Sequence, residues 1–143
     1  MTVKQISVFL ENRPGTLAAL TDVLSANQID MRALSLSDTA DFGVLRIIVD
    51  DSYKAAFVLK EAGFICSVTR VLALAVSDTP GGFAKAVTAL GENGINLEYA
   101  YAFTTKKRGL AYMILRVADN DAAIAALTAA GFTLTCQDEL VEL

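Results

Sequence analysis

The chain has 143 residues, 54% of them hydrophobic, with a mean hydropathy of +0.46, a net charge of −4 and a pI of about 4.7. That length suits one ordinary domain or two very small ones, and the apolar content exceeds what a small core absorbs, which implies an additional interface. The acidic balance leaves no electrostatic footprint for nucleic acid, Lys106-Lys107-Arg108 being the only basic cluster, and the absence of His removes the commonest general base and metal ligand.

The N-terminal stretch MTVKQISVFLENRPG enters a strand pattern at once and lacks a signal-peptide layout, so it reads as cytoplasmic. Ile6, Val8 and Leu10 alternate with Ser7 and Glu11, as in a half-buried strand. Pro14-Gly15 punctuates, and Leu17, Leu20 and Leu24 then repeat at helical spacing. Met31 to Ser37 and Val44 to Val49 predict a hairpin around Asp38 to Gly43. Ala55, Leu59 and Ala62 form a second helical stripe, stopped by Gly63, and Phe64 to Val68 reads as a fourth strand.

The same order then returns. Val71 to Ser77 is a strand, and Phe83, Val87 and Leu90 mark a helix. Leu97 to Phe103 and Leu110 to Val117 predict a hairpin. Ala123, Leu127 and Ala130 mark a helix, and Phe132 to Cys136 the last strand. The longest apolar run, Val71 to Val76, falls far short of the roughly 20 residues that cross a bilayer, so no membrane association is expected. Cys66 and Cys136 lie in apolar strand patterns, which predicts two free buried thiols rather than a disulfide or a metal pair.

The two halves are copies of each other. Pro14-Gly15 recurs 66 residues later as Pro80-Gly81. At that offset Leu24 meets Leu90, Asn27 meets Asn93, Ile29 meets Ile95 and Gly43 meets Gly109. Further on the offset is 68, where Ala62-Gly63-Phe64 meets Ala130-Gly131-Phe132; this places a two-residue insertion near Arg116 to Ala118. The units are residues 1–69 and 70–143. Each reads βαββαβ, the α+β ferredoxin-like layout with both helices on one face of an antiparallel sheet. No linker separates them, which predicts tight packing as one eight-stranded antiparallel sheet with four helices on one face. Phe9, Val44, Ile48, Tyr112 and Ile114 lie out of phase with the helix-facing sets, so the second face is expected to pack on another copy, a homodimer being simplest.

The most informative stretch is Glu11-Asn12-Arg13-Pro14-Gly15-Thr16-Leu17, between the first strand and the first helix. Proline suits the start of a helix, and glycine lets the backbone approach a partner. The free amides of a first helical turn, with the dipole behind them, attract carboxylates and phosphates. The same residues also serve as a tight turn with Asn12 as a cap, and that alternative stays open on the residues alone.

The stretch ENRPGTLAALTDVLSANQIDM resembles the ACT domain, above all that of D-3-phosphoglycerate dehydrogenases, and SDTPGGFAKAVTALGENGINLEY is similar to ACT repeats such as those of aspartokinases. The resemblance covers essentially the whole chain. It implies domains joined edge to edge at their second strands. A free small amino acid would be gripped in the crease by the first loop of one domain and the start of the second strand of the other. Carried over, one site comprises Asn12, Arg13, Pro14, Gly15, Thr16 and Leu17 facing Asn96, Leu97 and Tyr99. A weaker second site comprises Asp78, Pro80, Gly81, Gly82 and Phe83 facing Asp30 and Met31. The dehydrogenase pattern has a His two residues before the loop Asn; here Leu10 stands there, which argues against the same ligand preference. Two acids mark the second site, which repels a ligand carboxylate.

The resemblance implies a non-catalytic regulatory module that lends ligand response to a partner enzyme of amino-acid metabolism, with no cofactor and no metal. Two other readings suit the same scaffold. One is a structural or protein-interaction subunit without ligand. The other is a small enzyme on the ferredoxin-like scaffold, such as an acylphosphatase-like hydrolase using Arg13 and an Asn, although the loop spacing around Arg13 does not match and no base accompanies that residue.

Overall fold

The computed structural model describes residues 1–38, 40–140 and 142–143; residue 39, inside the expected turn Asp38 to Gly43, and residue 141 lie outside the described residues. The chain forms two compact units, Lys4–Thr69 and Met1–Val3 with Arg70–Leu143, here called the first and second repeats.

The first repeat contains β1 (Val3–Glu11), α1 (Thr16–Ala26), β2 (Met31–Asp38), β3 (Phe42–Val49), α2 (Ser52–Glu61) and the opening part of β4 (Ile65–Ser77). β3 lies antiparallel between β1 and β2, with Val8 opposite Leu45 and Leu36 opposite Leu45 on its other side; β1 also pairs with β4. Strand alternation puts Ile6, Val8, Leu10, Leu45, Ile47 and Val49 on one face. Leu20 and Leu24 of α1 and Ala55 and Leu59 of α2 pack against that set, so both helices cover the same face.

The second repeat contains the rest of β4, then α3 (Gly82–Glu92), β5 (Tyr99–Phe103), β6 (Leu110–Arg116), α4 (Asn120–Ala129), β7 (Thr133–Thr135) and α5 (Gln137–Leu140). β4 sits antiparallel between β6 and β7, and β5 flanks β6. Leu72, Leu74, Val76 and Leu115 meet Ala86, Leu90, Ala123 and Leu127 of the helices. The helix ends repeat as well. Asn27 and Asn93 each donate from Nδ2 to a carbonyl four residues back at 2.8 Å, and Asp51 and Asp119 cap α2 and α4 through Lys54 N and Ala122 N.

Several expectations change. Among the described residues there are seven strands, not eight, because the expected fourth strand and the following one are a single 13-residue strand, β4. No Gly or Pro interrupts Ile65 to Ser77, and its Ile, Val and Thr residues favour extended backbone. A short fifth helix, α5, joins the four expected. β5 begins at Tyr99 rather than Leu97, although Glu98 N still donates to Arg116 O at 2.9 Å.

The insertion is also relocated. Leu10 faces Gly43 in the first repeat, whereas its counterpart Val76 faces Ala111 in the second. Gly43 therefore corresponds to Ala111, not Gly109, and the two extra residues lie in the β5–β6 loop rather than near Arg116 to Ala118. A hairpin loop absorbs insertions where a strand end does not.

The second sheet face differs from expectation in its exposure. Tyr112 and Ile114 are already buried within the chain, as is Ile48, while Phe9 stays 58% exposed. Cys66 and Cys136 are free but half-buried. Among the described residues, no helix is long and apolar enough to cross a membrane.

Candidate functional site

In the first repeat the loop after β1 turns through Gly15, whose φ of 87° places the residue before α1 in the left-handed region. Only glycine enters that region without a Cβ penalty. Arg13 N donates to Glu11 O at 3.0 Å, and Thr16 Oγ1 donates to Arg13 O at 2.8 Å, which folds the loop back over the helix start. No side chain caps α1 and no acid occupies its first turn. The positive end of the helix dipole therefore faces the loop without an internal counter-charge at that turn.

Four of the expected residues, Asn12, Arg13, Thr16 and Leu17, line one small cavity of about 70 Å³. Pro14 and Gly15 form the turn beside it. The cavity also takes in Leu36, Asp38 and Gly43, which sequence reasoning did not assign. Asn12 Nδ2 donates to Asp38 Oδ2 at 3.4 Å, and Asn12 N donates to Asp41 O at 3.0 Å. Asp38 enters because β2 ends opposite Gly43, which pairs with Leu10 on the other side. The signal was the hairpin register, which sequence periodicity leaves open. Arg13 Nε lies 2.6 Å from Glu11 Oε2 in an exposed ion pair, so its charge is met locally.

The residues expected opposite this loop belong to the second repeat. Asn96 is exposed in the segment between α3 and β5. Leu97 packs against the helix-side core. Tyr99 pairs with Arg116, and the neighbouring pair Ala100–Leu115 faces the helices, so Tyr99 faces away from them.

The second loop repeats the first with one important change. Gly81 is left-handed at φ 84°, and no side chain caps α3. Asp78 N donates to Gly109 O at 3.1 Å, and the Ser77 and Thr79 hydroxyls lie 2.9 Å apart. Gly82, the counterpart of Thr16, is pressed against the carbonyl oxygen of Ser77, leaving no room for a Cβ. Phe83 packs on the second core. Of the residues expected to face this loop, Met31 opens β2 in the first repeat, and Asp30 precedes it. Asp30 pairs with Arg32 at 3.3 Å, and its N–H donates to Asp50 Oδ1 at 3.0 Å. Among the described residues, no cluster of His, Cys, Asp or Glu gathers to hold a metal ion.

A family model described as an ACT domain pair matches residues 1–143. A solved structure of a Bacteroides thetaiotaomicron protein is 35% identical; the match covers 100% of this chain and 98% of that one, with a TM-score of 0.93. The regulatory subunits of aspartate kinase from Thermus thermophilus and Thermus flavus share the fold at 18% and 16% identity, with TM-scores of 0.65 and 0.62. These matches cover 89% of this chain and 91% of that one for the first, and 90% and 92% for the second. No curated protein matches the sequence significantly.

Proposed function

The chain belongs to the ACT domain family as a pair of such domains, and on that premise we propose that it is a non-catalytic regulatory protein that binds a free amino acid at the first-repeat loop. The observation that carries this reading is the uncapped start of α1 beside a cavity shared by Asn12 and Asp38. A zwitterion needs both poles met, because either charge buried alone is costly. The first-turn amides of α1 take the carboxylate. The oxygens of Asn12 and Asp38 take the ammonium, and such charge-assisted bonds are the stronger kind.

In this reading the ligand also meets Asn96 and Leu97 of the second repeat, with Tyr99 following them in β5, and each of residues 1–69 and 70–143 is one domain of the pair. The second site, around Asp78, Pro80, Gly81, Gly82 and Phe83 with Asp30 and Met31, is weak or empty. The protein works as a homo-oligomer and passes its ligand response to an enzyme of amino-acid metabolism. Two of the similar structures are regulatory subunits of aspartate kinase, which supports such a partnership by fold.

The test is a thermal-shift screen against the twenty amino acids, followed by calorimetry on any hit. A specific ligand at 100 times its Kd raises stability by about 2.7 kcal/mol. No shift with any amino acid overturns the reading.

A further inference from the structure

The two loops differ in a second respect, beyond the room at Thr16 and Gly82. In the first repeat the loop cavity adjoins a larger one of about 340 Å³, and Leu10, Glu11, Arg13 and Thr16 line both. The larger cavity lies at the loop end of the sheet, and its far wall is apolar. Phe9 and Phe42 stand near the loop ends of β1 and β3, and Phe64 and Ile65 where the chain enters β4. Phe9 and Phe42 meet edge to face with ring centroids 6.4 Å apart. Phe9, Phe42 and Ile65 are 58%, 53% and 74% exposed.

The second repeat folds without this wall. Sixty-six residues after Phe9 it carries Ala75, and 68 residues after Ile65 it carries Thr133. Leu110 faces Ser77 as Phe42 faces Glu11, so Leu110 stands for Phe42. Phe64 is kept as Phe132, and each packs on the helix-side core of its repeat. The large apolar residues at positions 9, 42 and 65 are therefore not needed for folding, and contiguous exposed apolar surface marks an interaction site. They occur at the loop that keeps its cavity, and smaller residues replace them at the loop where Gly82 is pressed on Ser77.

The cavity has the size of small-molecule sites, about 300–1,000 Å³, which combine mostly apolar walls with a few placed polar groups. At its rim the charges of Glu11 and Arg13 meet each other at 2.6 Å. A charged side chain would lose hydration against the rings. An aromatic ring would extend the edge-to-face packing of Phe9 and Phe42.

We propose that this apolar cavity holds the side chain of the ligand, and that the ligand is an amino acid with an aromatic ring. This rests on the amino-acid reading above and names the ligand class. The two charged poles stay at the start of α1 and at Asn12 and Asp38, and the ring passes Leu10 and Thr16 to lie against Phe9, Phe42 and Ile65. A methyl or hydroxymethyl side chain leaves that wall in water, so the apolar area buried separates the ligands.

Calorimetry of the full chain with phenylalanine, leucine, alanine, serine and glutamate tests this. Phenylalanine is expected to bind at least tenfold more tightly than alanine, about 1.4 kcal/mol, with leucine between them and serine and glutamate no tighter than alanine. This series needs no variant. Phe9→Ala/Ile65→Thr carries the residues of the second repeat and is expected to lose most of the preference for phenylalanine over alanine. Phe57→Ala, which removes an exposed aromatic outside the cavity, is expected to keep it. A flat series, a wild type that prefers serine or glutamate, or a double variant that keeps the preference overturns the proposal and leaves the amino-acid reading standing. If that double variant also sediments as a smaller species than the wild type, the wall belongs to an interface between copies. Binding of none of the twenty amino acids overturns both.

Discussion

Gly82 lies directly against the carbonyl oxygen of Ser77, so close that a Cβ at position 82 would overlap that oxygen. Its counterpart in the first repeat, Thr16, carries a full side chain whose hydroxyl bonds to Arg13 O at 2.8 Å. The two loops therefore share a sequence signature and differ in room. In the second repeat the strand end is pressed onto the first turn of α3; in the first repeat a cavity remains beside the corresponding turn. Gly82→Thr is expected to destabilise the protein by about 1–3 kcal/mol through overpacking. Thr16→Gly costs about 1 kcal/mol or less, from lower helix propensity and one exposed hydrogen bond. Thermal melts of the two variants check the order; a larger loss for Thr16→Gly would show that the tightness is misplaced.

The same asymmetry applies to binding. Asn12→Ala removes a lining group from the open cavity, and Asp38→Asn removes the charge beside it. Each is expected to weaken amino-acid binding about tenfold or more, about 1.4 kcal/mol. Asp78→Ala is expected to leave affinity nearly unchanged. Calorimetry with the amino acid found by the screen decides: equal losses at positions 12 and 78 would mean that the two loops bind alike.

Gln28 has a φ of 55°, the only non-glycine residue with positive φ among those described. The matching position in the second repeat is Gly94, at φ 70°. A left-handed L-residue costs roughly 1–2 kcal/mol, part of which glycine gives back through a freer unfolded chain. Gln28→Gly is therefore expected to raise stability by about 0.5–1 kcal/mol, and Gly94→Gln to lower it. Denaturant midpoints at unchanged slope are the readout; a loss for Gln28→Gly would require a contact from its side chain that outweighs the strain.

Burial pushes the Cys66 thiol above its ordinary range, partly countered by the nearby Lys60 ammonium. The neutral thiol is the favoured form in the folded state. A raised pKa means stability that is present below the unfolded value and is lost as the pH rises through the folded one. Cys66 should therefore alkylate more slowly than a free cysteine at mildly alkaline pH, because the thiolate is the nucleophile. Removing the thiol with Cys66→Ala should flatten the alkaline fall in stability. Iodoacetamide kinetics on a Cys136→Ser background measure the first, and alkylation as fast as a model thiol would contradict it.

The repeat, the βαββαβ order and the loop Glu11 to Leu17 were all legible in the sequence, because each rests on local spacing. Leu17, Leu20 and Leu24 report a helix through its own period, and Pro14-Gly15 marks its start whatever surrounds it. What depends on pairing between distant strands was not legible. The position of the insertion follows from Leu10 facing Gly43 while Val76 faces Ala111, and periodicity cannot state a register. Asp38 reaches Asn12 only through that register. The closeness of Gly82 to Ser77 and the exposure of Tyr53 and Phe57 likewise depend on the tertiary fold, since a glycine or an aromatic in a helix reads the same whether it is crowded or open. The sequence alone determined which elements form and in what order, because hydrophobic period and turn chemistry act over a few residues. Tertiary structure alone decided which of two similar loops keeps its space and which apolar face stays bare, because those outcomes depend on residues far apart in the chain.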